Sequence, residues 1–250
     1  MKPSSFFHRA AMAVLPATLL LASCGKSDTP APAPAPATSQ VLFSHAAAAA
    51  NTQLTAYVND GQVSQLTYGQ SSAYVTVPAG SPTLRINNGA QAAITQPLAV
   101  AKDQNYSVFE YSSTATIGSL ALLTTPDDLT APSTGQAKVR VVYLNTSGAS
   151  PVQLTVPSPS PGTPGTPLTA DVAFGTASDF AKLNAGLYNL TITSNGTPRA
   201  QVVAVGDGSG TGTGVYKYME GKIYTIVVRG ITGTGVPTGQ QPQAVIIQNN

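Results

Sequence analysis

From residue 41 onward, the sequence alternates short apolar blocks with clusters of turn-forming residues, and this pattern constrains the fold most strongly. The blocks are rich in Val, Ile, Thr and Tyr, and Gly, Asn, Pro or Asp stands between them. Helical periodicity is not sustained over three turns anywhere, and the alanine run at 46–50 is short enough to predict a loop or bulge after the first strand. The pattern predicts an all-β chain, with its clearest strands at 54–58, 74–77, 83–86, 106–111, 120–123, 139–144, 152–156, 187–192, 201–205, 223–228 and 244–247.

The blocks of the first half recur in the second half. The dipeptides Asn88-Gly89 and Asn195-Gly196 are hairpin signals at matching places in both halves. Such a long internal repeat indicates two copies of one structural unit. Three pairs of segments keep one offset of 106 residues without a gap: 68–69 with 174–175, 77–80 with 183–186, and 83–86 with 189–192.

Each copy has the length and strand spacing of an immunoglobulin-like β-sandwich, in which two sheets bury their apolar faces against each other. We therefore expect two tandem immunoglobulin-like β-sandwich domains, at 41–125 and 137–250, joined by a linker at 126–136. Tyr106 and Tyr224 stand at the start of a late strand in each copy. Either they form tyrosine corners, with the hydroxyl bonded to nearby backbone, or they are ordinary core tyrosines.

Three segments resemble the domain family DUF4397. They are Val77-Pro78-Ala79-Gly80 leading to Leu84-Arg85-Ile86, the strand at 137–145, and the strand at 220–228. The resemblance covers roughly residues 41–250 as two copies, and the first copy departs at 46–50, where the family usually has a Ser-Pro-Asp-Ala-like turn. It implies a signal-bearing bacterial lipoprotein or surface protein, and it carries over no catalytic residue.

The N-terminus has the three parts of a secretory signal. A basic start containing Lys2 and Arg9 precedes an uncharged, mostly apolar run at 10–22. That run is shorter than the roughly 20 residues that a helix needs to cross a bilayer. We therefore interpret residues 1–23 as a signal peptide that is removed.

The segment Leu21-Ala22-Ser23-Cys24 resembles the bacterial lipobox, and the resemblance implies that the thiol of Cys24 is acylated. Several acyl chains give an effectively permanent anchor, since each buried CH₂ contributes about 0.8 kcal/mol. Gly25, rather than Asp, follows the cysteine, which under the sorting rule of enteric bacteria favours the outer membrane. The predicted location is thus the cell envelope, with the membrane as a partner through the N-terminal lipid.

Residues 24–40 form a Pro/Ala-rich segment in which prolines alternate with alanines. Alternating prolines favour extended polyproline II, so this segment is expected to act as a tether that spans roughly 30–40 Å.

Charge composition argues against nucleic acid as a partner. Without Lys2 and Arg9, ten basic residues face ten acidic ones, and charged residues make up only 9% of the chain. A phosphate backbone needs a basic stripe, which a neutral chain of this kind does not supply.

The sequence offers little material for catalysis. His45 is the only histidine after the signal peptide, and no Gly-x-Ser-x-Gly motif accompanies it, so we interpret it as a strand-end or loop residue. Glu110 and Glu220, the only glutamates, fall in different copies, which argues against a glycosidase pair. The Gly-rich run at 206–214 lacks the Lys-Ser/Thr ending and the helix of a phosphate loop and predicts a flexible hairpin loop.

Metal ligands are also few. Zinc prefers Cys and His, of which the mature chain has one each. Calcium could use Asp127, Asp128 or Asp207, but adjacent carboxylates in a linker more often mark solvated backbone. We expect no metal site and no cofactor.

Tyr216 and Tyr218 are the best candidates for an exposed contact patch. They lie two residues apart, and so on one face of a strand, beside the Gly-rich run. The other tyrosines are expected to pack in the sheets.

Together these features predict a non-enzymatic, lipid-anchored surface module that serves adhesion, spacing or assembly with other envelope proteins. The alternative is a glycan-binding accessory lipoprotein of a surface polysaccharide-uptake system. The absence of tryptophan counts against the usual sugar-stacking platform.

Overall fold

The computed structural model describes residues 35–50, 52–159, 165–196 and 199–250. Within these residues the strands form two β-sandwiches, and the only helical segments are two single 3₁₀ turns, at Ala48–Ala50 and Thr238–Gln240. The predicted all-β sandwich architecture is therefore confirmed. None of the described residues belongs to a helix with the length and hydropathy of a membrane span.

The first sandwich consists of two four-stranded sheets. Its inner sheet, which faces the second sandwich, has the order β4-β1-β7-β8, and its outer sheet has the order β3-β2-β5-β6. The strands are β1 Thr38–Ala46, β2 Leu54–Val58, β3 Gly61–Leu66, β4 Val75–Pro78, β5 Thr83–Asn88, β6 Gln91–Pro97, β7 Asn105–Tyr111 and β8 Ala121–Pro126.

The second sandwich repeats this plan with shorter accessory strands. Its inner sheet has the order β12-β9-β18-β19, with β13 also paired to β9; its outer sheet has the order β11-β10-β15-β16, and β14 pairs with β17 in a separate ribbon. The strands are β9 Gln136–Thr146, β10 Val152–Val156, β11 Thr166–Pro167, β12 Thr176–Ala177, β13 Ala181–Asn184, β14 Gly186–Tyr188, β15 Thr191–Ser194, β16 Gln201–Ala204, β17 Tyr216–Tyr218, β18 Ile223–Ile231 and β19 Gln243–Gln248.

A parallel pair of strands lies at the centre of each inner sheet. β1 pairs with β7, placing Val41 opposite Tyr106, and β9 pairs with β18, placing Val139 opposite Tyr224. The predicted equivalence of Gly69 and Gly175 also holds in the backbone, since each donates its N–H over 2.8 Å to the carbonyl of the adjacent first strand. Corresponding sequence positions thus occupy corresponding places in the two sandwiches.

Each sandwich has its own apolar core between its two sheets. Val41, Leu54, Leu84 and Ile86 are among the fully buried residues of the first core, and the second core includes four tyrosines in edge-to-face contact. These tyrosines are Tyr188, Tyr216, Tyr218 and Tyr224.

Tyr106 and Tyr224 form tyrosine corners, which was one of the two roles that the sequence allowed for them. The backbone N–H of Ala101 donates to the hydroxyl of Tyr106 over 3.0 Å, and the N–H of Met219 donates to that of Tyr224 over 3.0 Å. In both sandwiches the donor lies five residues before the tyrosine, so the same device fixes the turn into β7 and into β18.

The two inner sheets pack against each other and bury a third apolar cluster. Phe109 of the first sandwich meets Val142, Leu144 and Val227 of the second, and all four are at most 1% exposed. Because β18 is covered on both faces, all nine of its residues are buried, which accounts for its nearly continuous apolar sequence. The sandwiches therefore form one body within the compact unit Pro36–Asn250.

The sandwiches lie side by side in the same direction. Arg140, near the start of β9, donates to Ser107, near the start of β7, over 3.3 Å; Thr146, at the end of β9, donates to the carbonyl of Ser112, just past β7, over 2.6 Å. We call the end where β1, β7, β9 and β18 begin the near end, and the opposite end the far end. The described chain starts at the near end.

The strand predictions fail where the pattern is weak. The block at 187–192 is two strands, β14 and β15, because the chain crosses between sheets there. The outer-sheet edge strands β3 and β6 were not predicted, because glutamines and a serine interrupt the apolar residues of β3, and β6 is exposed at every position except Ile94. The alanine run ends β1 and then forms a 3₁₀ turn rather than a bulge.

Candidate functional site

The far end brings together three segments that each follow a central strand of an inner sheet. They are residues 47–50 after β1, 112–120 after β7 and 232–242 after β18. They surround a groove of about 550 Å³, which both sandwiches line. Most of its lining residues are small or apolar, among them Ala49, Ile117, Ile231, Val236 and Pro237.

Hydrogen bonds join two walls of this far-end groove. Gly118 donates its N–H to the carbonyl of Ala49 over 2.8 Å, and Ala49 donates its own N–H to Ser112 Oγ over 2.8 Å. The neighbouring side chain of Ile117 is 94% exposed, which is unusual for an isoleucine held on an ordered loop. The groove thus has a fixed backbone and an apolar rim open to a ligand.

His45 lies near the end of β1, where the sequence predicted a strand-end histidine, and it is fully buried. Its Nε2 lies 2.9 Å from the carbonyl of Thr52, and its Nδ1 accepts the N–H of Ala47 over 3.2 Å. This geometry makes Nε2 the protonated nitrogen of a neutral ring. Burial lowers the pKa of His45 to about 4, so the imidazole stays neutral and has no free nitrogen to act as a base.

Glu110 lies opposite His45 in the β1–β7 register and is also fully buried. Neither of its carboxyl oxygens has a hydrogen-bond partner within the described part of the chain, and no hydrogen bond joins it to His45 there. Burial raises the pKa of Glu110 to about 8, so the side chain is mainly protonated at neutral pH.

Arg229 crosses from the second sandwich to the first near the far end. Its guanidinium lies 4.8 Å from the ring centre of Tyr68, and its Nη2 donates to Gln243 Oε1 over 3.2 Å. No carboxylate among the described residues lies within 4.0 Å of it. A Cβ at Gly69, whose φ is +94°, would stand 2.7 Å from the Arg229 Nη2, so this approach requires glycine.

At the near end of the same interface, Arg140 is fully buried and fully partnered. Its guanidinium donates to the carboxylate of Asp127, to the carbonyl of Pro126 over 3.0 Å and to Thr225 Oγ1 over 3.0 Å. The ring of Phe180 covers it at 4.6 Å. Burial lowers the pKa of Arg140, and the charge and hydrogen bond of Asp127 oppose this shift.

Asp127 completes this cluster from the first sandwich. Its second oxygen accepts from Ser107 over 2.7 Å and from the hydroxyl of Tyr74 over 2.5 Å, and Asn249 donates in turn to that hydroxyl over 3.1 Å. Asp127 and Asn249 hold equivalent places, since each follows the last strand of its sandwich and donates its N–H to the residue before a core tyrosine. The position that holds an acid in the first sandwich therefore holds an amide in the second.

The prediction of solvated linker carboxylates is therefore wrong for Asp127. It is buried because the chain after β8 folds back between the inner sheets, where Arg140 provides its counter-ion. Asp128 is exposed and pairs with Lys138 at 2.7 Å, which lowers the pKa of Asp128 to about 2. Within the described ranges, no group of three or more His, Cys, Asp or Glu side chains could hold a metal ion.

The predicted exposed patch at Tyr216 and Tyr218 is also corrected. Their rings do lie on one face of β17, with centres 5.0 Å apart, but that face points into the core. Tyr218 is fully buried and Tyr216 is half-buried. The exposed side chains of this strand region are instead those in alternation with them, Val215, Lys217 and Met219.

The Gly-rich run connects β16 to β17 and folds along β19. Ser209 forms a bridge with Val245, and the Asp207 carboxylate accepts from the N–H and hydroxyl of Ser209. Gly208 lies so close to Ile246 that a Cβ would stand 2.7 Å from that side chain. The run is an ordered cover for the sheet edge, with no phosphate-loop geometry.

Cys24, the predicted acylation site, lies outside the described residues. Sequence reasoning missed the far-end groove, Arg140 and Arg229. A charged residue within an apolar strand block was the one available signal for the two arginines, at Arg140 in β9 and Arg229 in β18.

Comparison with family models identifies one family. A family model described as "Domain of unknown function (DUF4397)" matches residues 39–155, which span the first sandwich and continue through β9 and most of β10. The resemblance is thus confirmed over this range, which includes the divergent alanine run at 46–50. No curated protein matches the chain. Over residues 39–155 the chain is similar to a DUF4397 domain.

Proposed function

We propose that this chain is a lipid-anchored protein of the cell envelope that binds another envelope component and performs no catalysis. The observation that carries the proposal is the far-end groove, which loops of both sandwiches build at the end opposite to the start of β1. A chain anchored through its N-terminus presents this groove outward.

The proposed anchor is the acylated Cys24 of the lipobox. Since residues 24–37 lead into β1 at the near end, acylation would hold that end toward the membrane. The proposed location is the outer membrane, on the basis of Gly25.

The proposed two copies of a DUF4397 domain are supported by their shared parallel strand pair and tyrosine corners. Their joined inner sheets supply a stiff spacer between the anchor and the groove. A groove that both sandwiches line requires the two to keep a fixed relative position, which their packed inner sheets provide.

A binding role fits the state of the side chains that catalysis would need. His45 has both ring nitrogens engaged within the fold, and Glu110 is sealed in the core away from solvent. The groove itself offers apolar contacts and backbone amides, which suit a protein or peptide partner.

The test compares groove variants with a matched exposed control. With Cys24→Ser in every protein compared, so that no lipid anchor holds the chain on the membrane, Ile117→Asp and Val236→Asp should bind isolated envelopes about tenfold more weakly than the chain with an unmodified groove. Ala92→Asp, at an exposed site on β6 outside the groove, should bind as the chain with an unmodified groove does. Equal binding by all variants would refute the groove, and turnover of a substrate that is lost in His45→Ala would refute the non-enzymatic role.

The anchor has a separate test. Mass spectrometry of the exported protein should find diacylglycerol and an acyl chain on Cys24, and Cys24→Ser should release the protein from membranes. An unmodified thiol on the exported chain would contradict the anchor.

Glycan binding stays a prediction, and the groove is the place to test it. Tyr218 is part of the core, so Tyr218→Ala would reduce stability and cannot report on a ligand. Calorimetry of the Ile117→Asp variant against a panel of oligosaccharides, beside the unmodified chain, tests the alternative at the groove instead.

A further inference from the structure

The ribbon formed by β14 and β17 has an unusual outward face. Among the described residues, four large apolar side chains are strongly exposed, and three of them lie on or beside this ribbon. Leu187 is 66% exposed, Val215 53% and Met219 41%. Monomeric proteins usually expose such residues singly, so a group of three marks an interaction surface.

The apolar side chains surround a lysine. Leu187 lies directly opposite Lys217 in the ribbon, and Val215 and Met219 flank Lys217 at two residues on either side. Since cross-strand partners and i±2 neighbours share a face, these four side chains lie on one surface, which we call the ribbon patch. The tyrosines of the ribbon occupy the other face, inside the core.

The ribbon patch lies at the near end. Asn184, at the end of β13, pairs with Gln136 at the start of β9, and Gly221, just after β17, donates its N–H to the carbonyl of Gln136 over 2.9 Å. The ribbon therefore closes the second sandwich at the end where the chain enters β1. A fully extended chain from Cys24 to Thr38 reaches at most about 50 Å, so an anchored Cys24 leaves this end within reach of the membrane.

Lysine side chains are concentrated at the same end, where the exposed acidic residues are Asp103, Asp128 and Glu220. All five lysines of the described residues lie there, and two of them, Lys182 and Lys217, have no carboxylate within 4.0 Å among those residues. The Nζ of Lys222 donates to the main-chain oxygen of Asn250 over 3.3 Å. Lysines beside exposed apolar side chains complement a bilayer surface with anionic headgroups.

We infer that the ribbon patch docks on the lipid surface in which the chain is anchored, inserting Leu187, Val215 and Met219 among anionic headgroups. The inference rests on the proposed anchor at Cys24. Because the anchor makes docking an intramolecular event, a surface of low intrinsic affinity is sufficient. Docking sets the orientation of the body and aims the far-end groove away from the bilayer.

The test uses the full chain in vesicles of phosphatidylcholine and phosphatidylglycerol that carry a headgroup quencher. A fluorophore is attached to a cysteine introduced at the exposed Glu220, beside the patch, since an acylated Cys24 leaves no other thiol. Quenching at this site should fall about fivefold with Leu187→Asp and with Met219→Asp, and also in vesicles of phosphatidylcholine alone. Ile117→Asp, a matched apolar-to-acidic change at the far end, should leave quenching unchanged.

Each other outcome overturns the docking inference. Equal quenching in the patch variants and the unmodified chain would mean that the tether alone keeps the label near the lipid. Dimerisation without vesicles that Leu187→Asp abolishes would assign the patch to a second copy. Mass spectrometry of Cys24 in the same preparation measures its acylation separately from docking of the patch. Circular dichroism confirms that the variants fold.

Discussion

The two ends of the interface between the sandwiches differ in whether their buried charged and polar groups are paired. At the near end, Arg140 and Asp127 neutralise each other within a closed set of hydrogen bonds. Toward the far end, and among the residues that the structure describes, Arg229 has no carboxylate partner and the carboxyl group of Glu110 has no hydrogen-bond partner. The difference indicates that the near end fixes the two sandwiches together, whereas uncompensated buried groups remain toward the far end, at a cost in stability.

The largest expected effect comes from opening the near-end cluster. Arg140→Leu leaves the Asp127 charge buried without a counter-ion and should lower the free energy of unfolding by about 3–5 kcal/mol. Urea denaturation measures the change.

The molecule supplies the control for this substitution. The places equivalent to Arg140 and Asp127 in the other copy hold Leu42 and Asn249. The double variant Arg140→Leu with Asp127→Asn should therefore regain most of the lost stability. A double variant as unstable as the single one would show that the ion pair is not the source of the effect.

At the far end, Glu110→Gln should stabilise the protein, and the gain should depend on pH. The pKa of Glu110 is raised in the folded state, so folding takes up a proton, and its contribution is full below pH 4.5 and lost as the pH rises toward 8. Removing the acid should therefore stabilise the fold by about 3 kcal/mol or less at pH 7 and by little at pH 4.5. Denaturation curves at both pH values check this; equal gains at the two would contradict a buried acid.

His45, in the same region, should reduce the stability of the fold at acidic pH. Its pKa is lowered to about 4 in the fold, so the unfolded chain binds the proton more readily and stability falls as the pH drops from 6.5 toward 4. His45→Gln should flatten this part of the stability profile by about 1.4 kcal/mol per pH unit at most, as measured by thermal unfolding. A profile that stays as steep in the variant would refute the assignment to His45.

Replacing one glycine at each end should have a smaller effect on stability, and the loss should differ between the ends. Gly69 at the far end and Gly80 at the near end both have positive φ, +94° and +105°, but only at Gly69 would a Cβ meet Arg229. Both Gly→Ala variants should lose about 1–2 kcal/mol to backbone strain, with a further loss at Gly69 as the guanidinium is displaced. Equal losses would mean that Arg229 moves aside freely.

The smallest expected effect concerns the two tyrosine corners, which allow a comparison between the two sandwiches rather than between the two ends of their interface. Tyr106→Phe and Tyr224→Phe each leave one backbone N–H without its acceptor and should cost about 1 kcal/mol. Chemical denaturation of both variants tests whether the two corners are equivalent.

The sequence predicted what depends on local pattern. β-branched blocks predicted β2 and β10 with their bounds, and the repeat predicted the matching places of Gly69 and Gly175. Tyr216 and Tyr218 show the limit of such reasoning: spacing placed them on one face of a strand, but only the packed sandwich decides which face is buried. Asp127 shows the same limit, since its counter-ion lies in the other sandwich and no local signal joins them.

The far-end groove was beyond sequence reasoning for a related reason. It arises from loops of low complexity that are distant along the chain, and its walls meet only because the inner sheets pack in one direction. The union of the two sandwiches is therefore the central claim on which the groove depends.

Differential scanning calorimetry of the full chain tests that union most directly. The account predicts one cooperative transition, with equal calorimetric and van't Hoff enthalpies, that moves as a whole to lower temperature in Arg140→Leu. Two separate transitions, one of them unchanged by Arg140→Leu, would show that the sandwiches unfold independently and would contradict it.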